Sequence, residues 1–502
     1  MNKFVATLTL CGVAFSPVWA QNAATPYAES ITEADLRSHL EVVASDSMAG
    51  RATATPGQKR AARYLEAQFR ELGLSGPSKG PNPFQQEFAL EERYWGEVFI
   101  QTQGGTYENL EHFFYIGDKT LEEGTEMTAV YVGAGTEQDL EGRDLEGKAV
   151  VILAPGRGAA QEPIMRCKEA GAGAYMVIYN EDQDAFEGFI NTYKVYLARP
   201  SLGFAVEDEA DADAVYYISP EIASSIFETD FADLKLWAEG HESEQAPETT
   251  VGLAAEREVD ELSSSNVVGF LEGTDLKDEV LVVTAHYDHL GTGEDGEIYN
   301  GADDDGSGTV TVLELAEAFT TAAKEGNGPR RSILFMLVSG EERGLLGSEF
   351  YTDNPIFPLE NTVTNLNIDM VGRMDDAHED NPYYVYVIGS DKLSTELHEL
   401  NEAANEAHTQ LDLDYRYNDE NDPNRYYYRS DHYNFAKNEV PVIFYFNGTH
   451  DDYHQETDTV DKIHFGKMER IGRLVFYTAW EIANRDTRPA LDAPTEEETD
   501  DE

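Results

Sequence analysis

The chain contains very little cysteine. Among its 502 residues there are two cysteines, Cys11 and Cys167. A chain of this length can bury a large core and does not need disulfides to hold it together. Cys11 lies in an N-terminal segment that we expect to be removed. The mature chain would then keep Cys167 alone and could form no internal disulfide.

Basic residues are also scarce. Lys and Arg total 36 against 96 Asp and Glu, which gives a formal net charge of −60 at pH 7. A surface of this charge repels nucleic acids and anionic membranes, so neither is expected as a partner. It also repels itself, which indicates an exported protein from a saline habitat. The alternative is a protein with an acidic surface whose folding stability does not depend on salt.

Long apolar runs are absent as well. After the N-terminal segment no stretch approaches the 18 apolar residues that suggest a membrane-spanning helix, so we predict a soluble mature protein. Residues 1–20 resemble a signal peptide: Lys3 is followed by a short apolar run at 4–15 and by Val-Trp-Ala at 18–20. The run is too short for a membrane anchor. We expect cleavage after Ala20 and export to the periplasm or the medium.

Changes in residue pattern divide the rest of the chain into four segments. We assign residues 28–125 to the N-terminal part of the main domain. Residues 126–250 carry a β-α-β pattern with no cluster of ligand-type residues, which predicts a smaller inserted α/β module. Residues 251–487 form the rest of the main domain. The acidic residues 488–502 are expected to be a disordered tail.

The main domain shows an α/β pattern. Helical spacing of apolar residues predicts two helices within 31–74. From Ser265 onwards apolar strands such as EVLVVTAH and RSILFMLVS alternate with helical segments such as TVTVLELAEAF. Continuous apolar strands that alternate with helices are typical of a mostly parallel sheet covered on both faces. The pattern therefore predicts a three-layer α/β/α sandwich.

Five residues of metal-ligand type each stand where an apolar strand gives way to a loop. They are His286, Asp304, Glu342, Asp369 and His454. Each is a weak signal alone, because an acidic triplet such as Asp303 to Asp305 also caps helices. Ligands of parallel sheets bind beyond the carboxyl ends of the strands, where all five fall. Together they predict a metal site.

The ligand set suits two divalent ions. Three carboxylates and two imidazoles hold two ions when one carboxylate bridges them. Mixed nitrogen and oxygen donors favour zinc, with cobalt or manganese as substitutes. Glu341 stands beside Glu342 and could act as a general base. Asp288, two residues after His286, could orient that imidazole.

Five sequence blocks resemble one family. HYD, GADDDGSG, SGEERGLLGS, NIDMVG and DYHQETDT are similar to the signature blocks of the dinuclear zinc aminopeptidases, a family that also includes glutamate carboxypeptidase II and the inactive transferrin receptor. The resemblance implies a peptidase that acts on peptide substrates, with its zinc exopeptidase fold. Residues 147–180 resemble, more loosely, a protease-associated (PA) domain.

The resemblance also implies a role for each site residue. His286 and Asp369 would hold one zinc ion, Glu342 and His454 the other, and Asp304 would bridge them. Asp288 would orient His286, and Glu341 would be the base. Tyr453 would lie near the oxyanion, and the Asp304–Asp305 peptide bond would be cis. The set of residues with these roles is His286, Asp288, Asp304, Glu341, Glu342, Asp369, Tyr453 and His454.

Two other functions remain open at this point. A carboxypeptidase or dipeptidase would need arginine near the site, and Arg343, Arg373 and Arg429 are available. A non-catalytic, receptor-like protein would have lost its ligands, whereas all are present here. We expect an aminopeptidase. Three further histidines beside the blocks are expected to be structural: His289, His432 and His450.

The saline interpretation predicts a salt-dependent stability. Raising NaCl from 0.1 M to 1 M shortens the Debye length from about 10 Å to about 3 Å, which weakens repulsion between surface carboxylates. The unfolding temperature, followed by circular dichroism, should therefore rise from low to molar NaCl. KCl at the same ionic strength should act alike, because screening does not depend on the cation. An unchanged unfolding temperature would contradict the saline interpretation.

Overall fold

The computed structural model describes residues 17–117, 119–156, 158–205, 213–238 and 248–493. Most of the predicted signal peptide (1–16) and most of the predicted tail (494–502) lie outside these residues. The chain forms two compact units. The first consists of Met1–Phe88 and Ser263–Glu502, and the second of Ala89–Leu262.

A mixed sheet forms the centre of the first unit. Its four middle strands, Arg331–Val338, Leu276–His286, Thr362–Ile368 and Val442–Phe446, lie side by side in this order and are parallel. At one edge, Val267 to Leu271 of the strand Glu248–Leu271 pairs antiparallel with Arg331–Val338. At the other edge, Tyr384–Ile388 is antiparallel to Val442–Phe446 and parallel to Asp412–Asp414. The predicted mostly parallel sheet is confirmed.

Both faces of this sheet are covered by helices. Leu281 and Val283 belong to one apolar cluster, together with residues of the two N-terminal helices and of the C-terminal helix. Val280 and Val282 belong to another cluster on the opposite face, with Tyr351 and Phe435. The strand alternates between two buried faces, which explains why its residues are apolar throughout. The helices of the first unit are Pro17–Ala28, Glu33–Val43, Pro56–Leu72, Gly308–Lys324, Leu346–Asp353, Thr395–Ala404, His432–Ala436 and Phe465–Asn484.

The two predicted N-terminal helices are confirmed, and local signals define their ends. The Thr32 side chain accepts a hydrogen bond from the backbone N–H of Asp35 at the start of Glu33–Val43. Thr55 and Pro56 begin the next helix, and Gly73, in the left-handed region at φ 86°, ends it. Thr and Pro favour helix starts, and Gly tolerates the left-handed conformation at helix ends.

The second unit also mixes strands and helices. Four strands, Leu121–Tyr131, Ala149–Leu153, Ala174–Ile178 and Ala214–Ile218, form a parallel set in this order. Phe114–Gly117 and the first part of Glu248–Leu271 flank this set and are antiparallel to it. Three further strands are Gln85–Thr102, Gly105–Glu108 and Ser201–Gly203, and the helices are Glu137–Leu140, Gln161–Glu169, Gln183–Leu197, Pro220–Phe227 and Phe231–Ala238.

The second unit is larger than the expected module. It spans Ala89–Leu262 rather than residues 126–250, because the strands between residues 89 and 131 belong to it. The polar, acidic composition of residues 239–258 predicts a linker, but from residue 248 onwards this stretch is part of a strand that pairs with Leu121–Tyr131. Val251 and Leu253 of this strand are buried, whereas Glu256 and Glu258 are exposed. Half-exposed strands of this kind look polar in sequence.

In the residues that the structure describes, no helix has the length and apolar character to cross a membrane.

One buried acid in the first unit makes the stability of the fold depend on pH. Glu314, on the helix Gly308–Lys324, is 2% exposed. Burial, together with the charges of Glu317 and Asp35, raises its pKa from 4.5 to about 8. His39 lies 3.8 Å away, but its own pKa is lowered, chiefly by burial. Glu314 is therefore protonated in the folded chain at pH 7.

Because the folded pKa of Glu314 is raised, its contribution to stability is complete below pH 4.5 and is lost as the pH rises through 8. Glu314→Gln removes this loss. We compare the free energy of unfolding of the variant with that of the wild type at each pH. We expect this difference, variant minus wild type, to be about 2–4 kcal/mol larger at pH 9 than at pH 5. Urea denaturation at both pH values measures the difference. Glu41→Gln, an exposed acid on the helix Glu33–Val43, is the control, and an equal effect of Glu314→Gln at both pH values would refute the assignment.

Candidate metal centre

The five predicted ligand residues meet at the carboxyl edge of the parallel strands. His286 ends its strand, Asp369 directly follows Thr362–Ile368, and Glu342 comes four residues after Arg331–Val338. His454 lies in the loop after Val442–Phe446, and Asp304 lies just before the helix Gly308–Lys324. The strands that precede Glu342, His286, Asp369 and His454 are consecutive neighbours in the sheet. Sheet order therefore brings together residues distant in sequence.

One group of donor atoms surrounds His286. Its Nε2 lies 3.2 Å from Asp304 Oδ1, 3.5 Å from Asp369 Oδ1 and 3.9 Å from Glu341 Oε2. The imidazole is 1% exposed. Burial would lower the pKa of His286, but the charges of Asp369 and Glu341 raise it well above its usual value. A buried site with this much negative charge favours a cation.

A second group shares Asp304 with the first. His454 Nε2 lies 3.1 Å from Asp304 Oδ2 and 3.3 Å from Glu342 Oε2. Although burial opposes ionisation, hydrogen bonds from His286 and His454 lower the pKa of Asp304 well below its usual value. The pKa of Glu342 is lowered to about 2 by His289 and His454, against the effects of burial and of Asp304. Asp304 thus presents one oxygen to each group.

The three side chains of the acidic triplet, Asp303 to Asp305, make different contacts. Asp304 faces both donor groups, and its peptide bond to Asp305 is cis, as expected. Asp303 points elsewhere: its carboxylate accepts hydrogen bonds from Gly372 N at 2.6 Å, Asn447 Nδ2 at 3.1 Å and His450 Nε2 at 3.1 Å. Asp303 therefore connects the loop after Asp369 with the loop that leads to His454.

Asp305 connects three other segments. Its Oδ2 accepts from His286 N at 3.1 Å, and its Oδ1 accepts from Gly308 N at 2.8 Å and from Met370 N at 3.1 Å. The side chain is completely buried. A buried carboxylate with three backbone donors holds their relative positions closely. Asp305 thereby fixes the backbone beside two predicted ligands, His286 and Asp369.

Asp458 holds the triplet in place from the opposite side. Its Oδ2 accepts from the backbone N–H of Asp303 at 2.9 Å and from that of Asp304 at 3.2 Å. Its backbone oxygen accepts from Ala302 N at 3.2 Å. Asp458 is fully buried and lies four residues after His454. It therefore joins the His454 loop to the segment that carries Asp304.

Glu341 and Asp288 lie beside the first group. Burial, with the charges of Glu342 and Asp369, raises the pKa of Glu341 well above its usual value. Asp288 Oδ1 accepts from Glu341 N at 3.3 Å, and its Oδ2 accepts from Thr53 Oγ1 at 2.7 Å. His286 Nδ1 lies 3.2 Å from the backbone oxygen of Asp288 and 3.8 Å from its carboxylate. Asp288 thus contacts both His286 and the Glu341 backbone.

A small cleft opens above the first group of donors. Its lining includes Met370, Tyr426, Phe444 and Phe446, so one wall is apolar. Tyr453 also lines it, and the Tyr453 ring stacks on the His454 ring at 3.8 Å. The cleft gives a ligand access to His286, Asp304, Glu341 and Asp369.

Sequence reasoning missed three contacts at this site. His289, treated above as structural, has its Nδ1 2.7 Å from Glu342 Oε1. Ser430 donates from Oγ to Asp369 Oδ2 at 2.6 Å, and Asp458 supports the triplet as described. His289 follows His286 by only three positions, and this short spacing could have indicated that His289 lies at the same site. The contact of Ser430 with Asp369 spans 61 positions, so no local spacing in the sequence indicates it.

The role of Asp458 can be tested by its removal. Asp458→Ala leaves the buried N–H groups of Asp303 and Asp304 without acceptors, and each such loss costs about 1–3 kcal/mol. We expect the free energy of unfolding of metal-free protein to fall by about 2–4 kcal/mol in urea denaturation. Asp458→Asn keeps one acceptor oxygen and should lose less. Asp461→Asn, exposed in the same loop, is the control, and equal stability of all three variants would contradict this role.

Comparisons with known proteins agree with this arrangement. Residues 266–479 match the profile of peptidase family M28. The chain is 24% identical over 337 residues to aminopeptidase YwaD of Bacillus subtilis, covering 65% of this chain and 60% of that protein. It is 36% identical over 110 residues to aminopeptidase NAALADL1 of Rattus norvegicus, covering 22% and 14%. The chain therefore spans less than two thirds of the length of these relatives.

A solved structure supports the fold independently. The aminopeptidase from Aneurinibacillus sp. strain AM-1 superimposes with a TM-score of 0.52 and 20% identity over 93% of this chain and 97% of that one. The matched segment 266–479 contains all five residues of the two donor groups and Glu341. By this match, and by the sequence blocks that it contains, residues 266–479 are similar to peptidase family M28.

Proposed function

We propose that the chain is an exported zinc-dependent exopeptidase, most simply an aminopeptidase that releases N-terminal residues from peptides. The observation that carries the proposal is the pair of donor groups joined by Asp304, with Glu341 beside them. So many buried charged groups around one shared carboxylate favour a bound cation. The names of the relatives, aminopeptidases of bacterial and mammalian origin, support the same activity.

The residues present fit two zinc ions. Donor atoms of neighbouring residues lie 3.1–3.5 Å apart in both groups, as expected when they share ions at about 2.0–2.2 Å. His286 and Asp369 would hold one ion, Glu342 and His454 the other, with Asp304 between them. Cobalt or manganese could replace zinc. When bound, zinc polarises the peptide carbonyl and makes water more acidic.

Glu341 would transfer the proton. It accepts a proton from the attacking water and returns it to the nitrogen of the leaving amine, so the carboxylate is regenerated in each turnover. The hydrogen bond from Glu341 N to Asp288 Oδ1 fixes the start of the loop that carries the base. Asp288 would also orient His286 through its Nδ1. The Tyr453 phenol would donate to the oxyanion that forms at the scissile carbonyl.

Apolar residues of the cleft would contact the hydrocarbon part of a peptide. Met370, Tyr426, Phe444 and Phe446 line the cleft beside the donor groups. Among the arginines that a carboxypeptidase could use, Arg373 forms an ion pair with Asp452 at 2.7 Å. Hydrolysis of leucyl-nitroanilide, compared with hydrolysis of N-blocked peptides with a free C-terminus, separates the two activities. Cleavage of the blocked peptides alone would establish the carboxypeptidase.

Export is proposed with cleavage after Ala20, so that the enzyme would act in the periplasm or the medium. The intact mass of the mature protein and its N-terminal sequence test the cleavage site. The second unit is proposed as a PA-like module, on the basis of its parallel β-α-β segment from Ala149 to Ile178.

Glu341→Gln tests the base directly. The amide keeps the size of the side chain but cannot accept the proton. We expect kcat to fall about 10²- to 10⁴-fold while zinc, measured by mass spectrometry of metals, stays bound. Glu360→Gln, an exposed acid in the same unit, is the control and should keep wild-type kcat. Near-normal turnover in Glu341→Gln would remove Glu341 from this role, and a zinc-free active enzyme would refute the proposed function.

A further inference from the structure

We propose that Arg429 forms a carboxylate-binding subsite in the cleft beside the metal centre. The inference rests on the proposed peptidase function and adds a substrate preference to it. The carboxylate could be the free C-terminus of a very short peptide, or an acidic side chain in the first or second residue.

Arg429 is held at the cleft by two aromatic residues. Its Nη2 donates to the Tyr453 hydroxyl at 3.4 Å, and its Cζ lies 4.9 Å from the centre of the Tyr426 ring. Both tyrosines line the same cleft, which also reaches Glu341 and Asp369. A guanidinium that stacks on an aromatic ring is restrained in its orientation. Arg429 is therefore placed beside the site where a peptide would react.

The charge of Arg429 is not neutralised within the described part of the chain. No ion pair joins it to a carboxylate there, although the chain has 96 acidic residues. Two other arginines of the unit, by comparison, form ion pairs: Arg373 contacts Asp452 at 2.7 Å, and Arg330 contacts Asp275 at 2.8 Å. In a protein with a net charge of −60, an unpaired arginine in a cleft marks a place for an anion from outside the chain.

The chemistry of the guanidinium identifies the ligand class. Its planar N–H groups match the two oxygens of a carboxylate, and such charge-assisted pairs are stronger than neutral hydrogen bonds. The apolar wall from Met370 and Phe444 suits the hydrocarbon part of a peptide. A peptide that carries both features would contact the wall and Arg429 together. The subsite therefore selects peptides with a carboxylate near the scissile bond.

Three substrate pairs distinguish the sources of the carboxylate. Leu-Ala and Leu-Ala-amide test the free C-terminus, Leu-Glu-amide and Leu-Gln-amide test the second side chain, and Glu-Ala-amide and Gln-Ala-amide test the first. For each pair the ratio of kcat/KM, acid over neutral, is measured in the wild type and in Arg429→Gln. Because both members of a pair meet the same Tyr453, any disturbance of that phenol cancels in the ratio.

We expect one of these ratios to fall about 10- to 100-fold in Arg429→Gln, and the pair concerned identifies the carboxylate. Arg429→Lys keeps the charge and should restore part of the ratio. Arg425→Gln is the matched control: Arg425 stands in the same loop, over the Tyr428 ring, and does not line the cleft. Its ratios should equal those of the wild type. If all three ratios are the same in Arg429→Gln and in the wild type, the subsite is refuted.

A binding measurement separates this inference from the proposed function. Calorimetric titration of Glu341→Gln protein with the acidic and neutral peptides, with and without the Arg429→Gln change, reports the preference without turnover. If no peptide is cleaved by the wild type but the acidic peptide binds more tightly through Arg429, the peptidase function fails and the subsite stands. If peptides are cleaved and Arg429→Gln leaves the affinities unchanged, the subsite fails alone.

Discussion

The site depends on one constraint: three consecutive carboxylates must point in three directions. Asp303 and Asp305 do not face the donor groups; each accepts backbone hydrogen bonds from the segments that carry the other ligands. Asp304 can then present one oxygen to each group without its neighbours competing for the same position. Repulsion within the triplet is offset by these donors, since buried carboxylates with several N–H partners tolerate burial. The geometry of the centre is therefore set by loops that are joined to one another.

Much of this arrangement could be predicted because it follows from sheet topology. Residues that end parallel strands share an edge, so His286, Asp369 and Glu342 could be placed together without knowledge of any contact. The supporting residues could not. Ser430, His289 and Asp458 act through single side-chain contacts across loops, and the patterns of apolar residues that define strands and helices contain no information about such contacts. A polar residue in a loop has the same local appearance whether it faces solvent or a buried carboxylate.

The boundary of the second unit was missed for a related reason. Apolar periodicity is clear in strands that are buried on both faces, such as Ala149–Leu153. It is weak in long strands with one exposed face, and in an acidic chain the exposed positions are filled with glutamate, as at Glu256 and Glu258. A strand of that composition resembles a linker until its partner is known.

The division of the first unit has a consequence for the order of synthesis. The helices Glu33–Val43 and Pro56–Leu72 pack on the helix Gly308–Lys324 and the strands that precede the metal centre. All of these partners follow Ser263, so the N-terminal helices leave the ribosome before the whole second unit and must wait for it. At about 5–20 residues per second that wait is on the order of ten seconds or more. During this interval the apolar faces of both helices lack the residues that cover them in the folded chain.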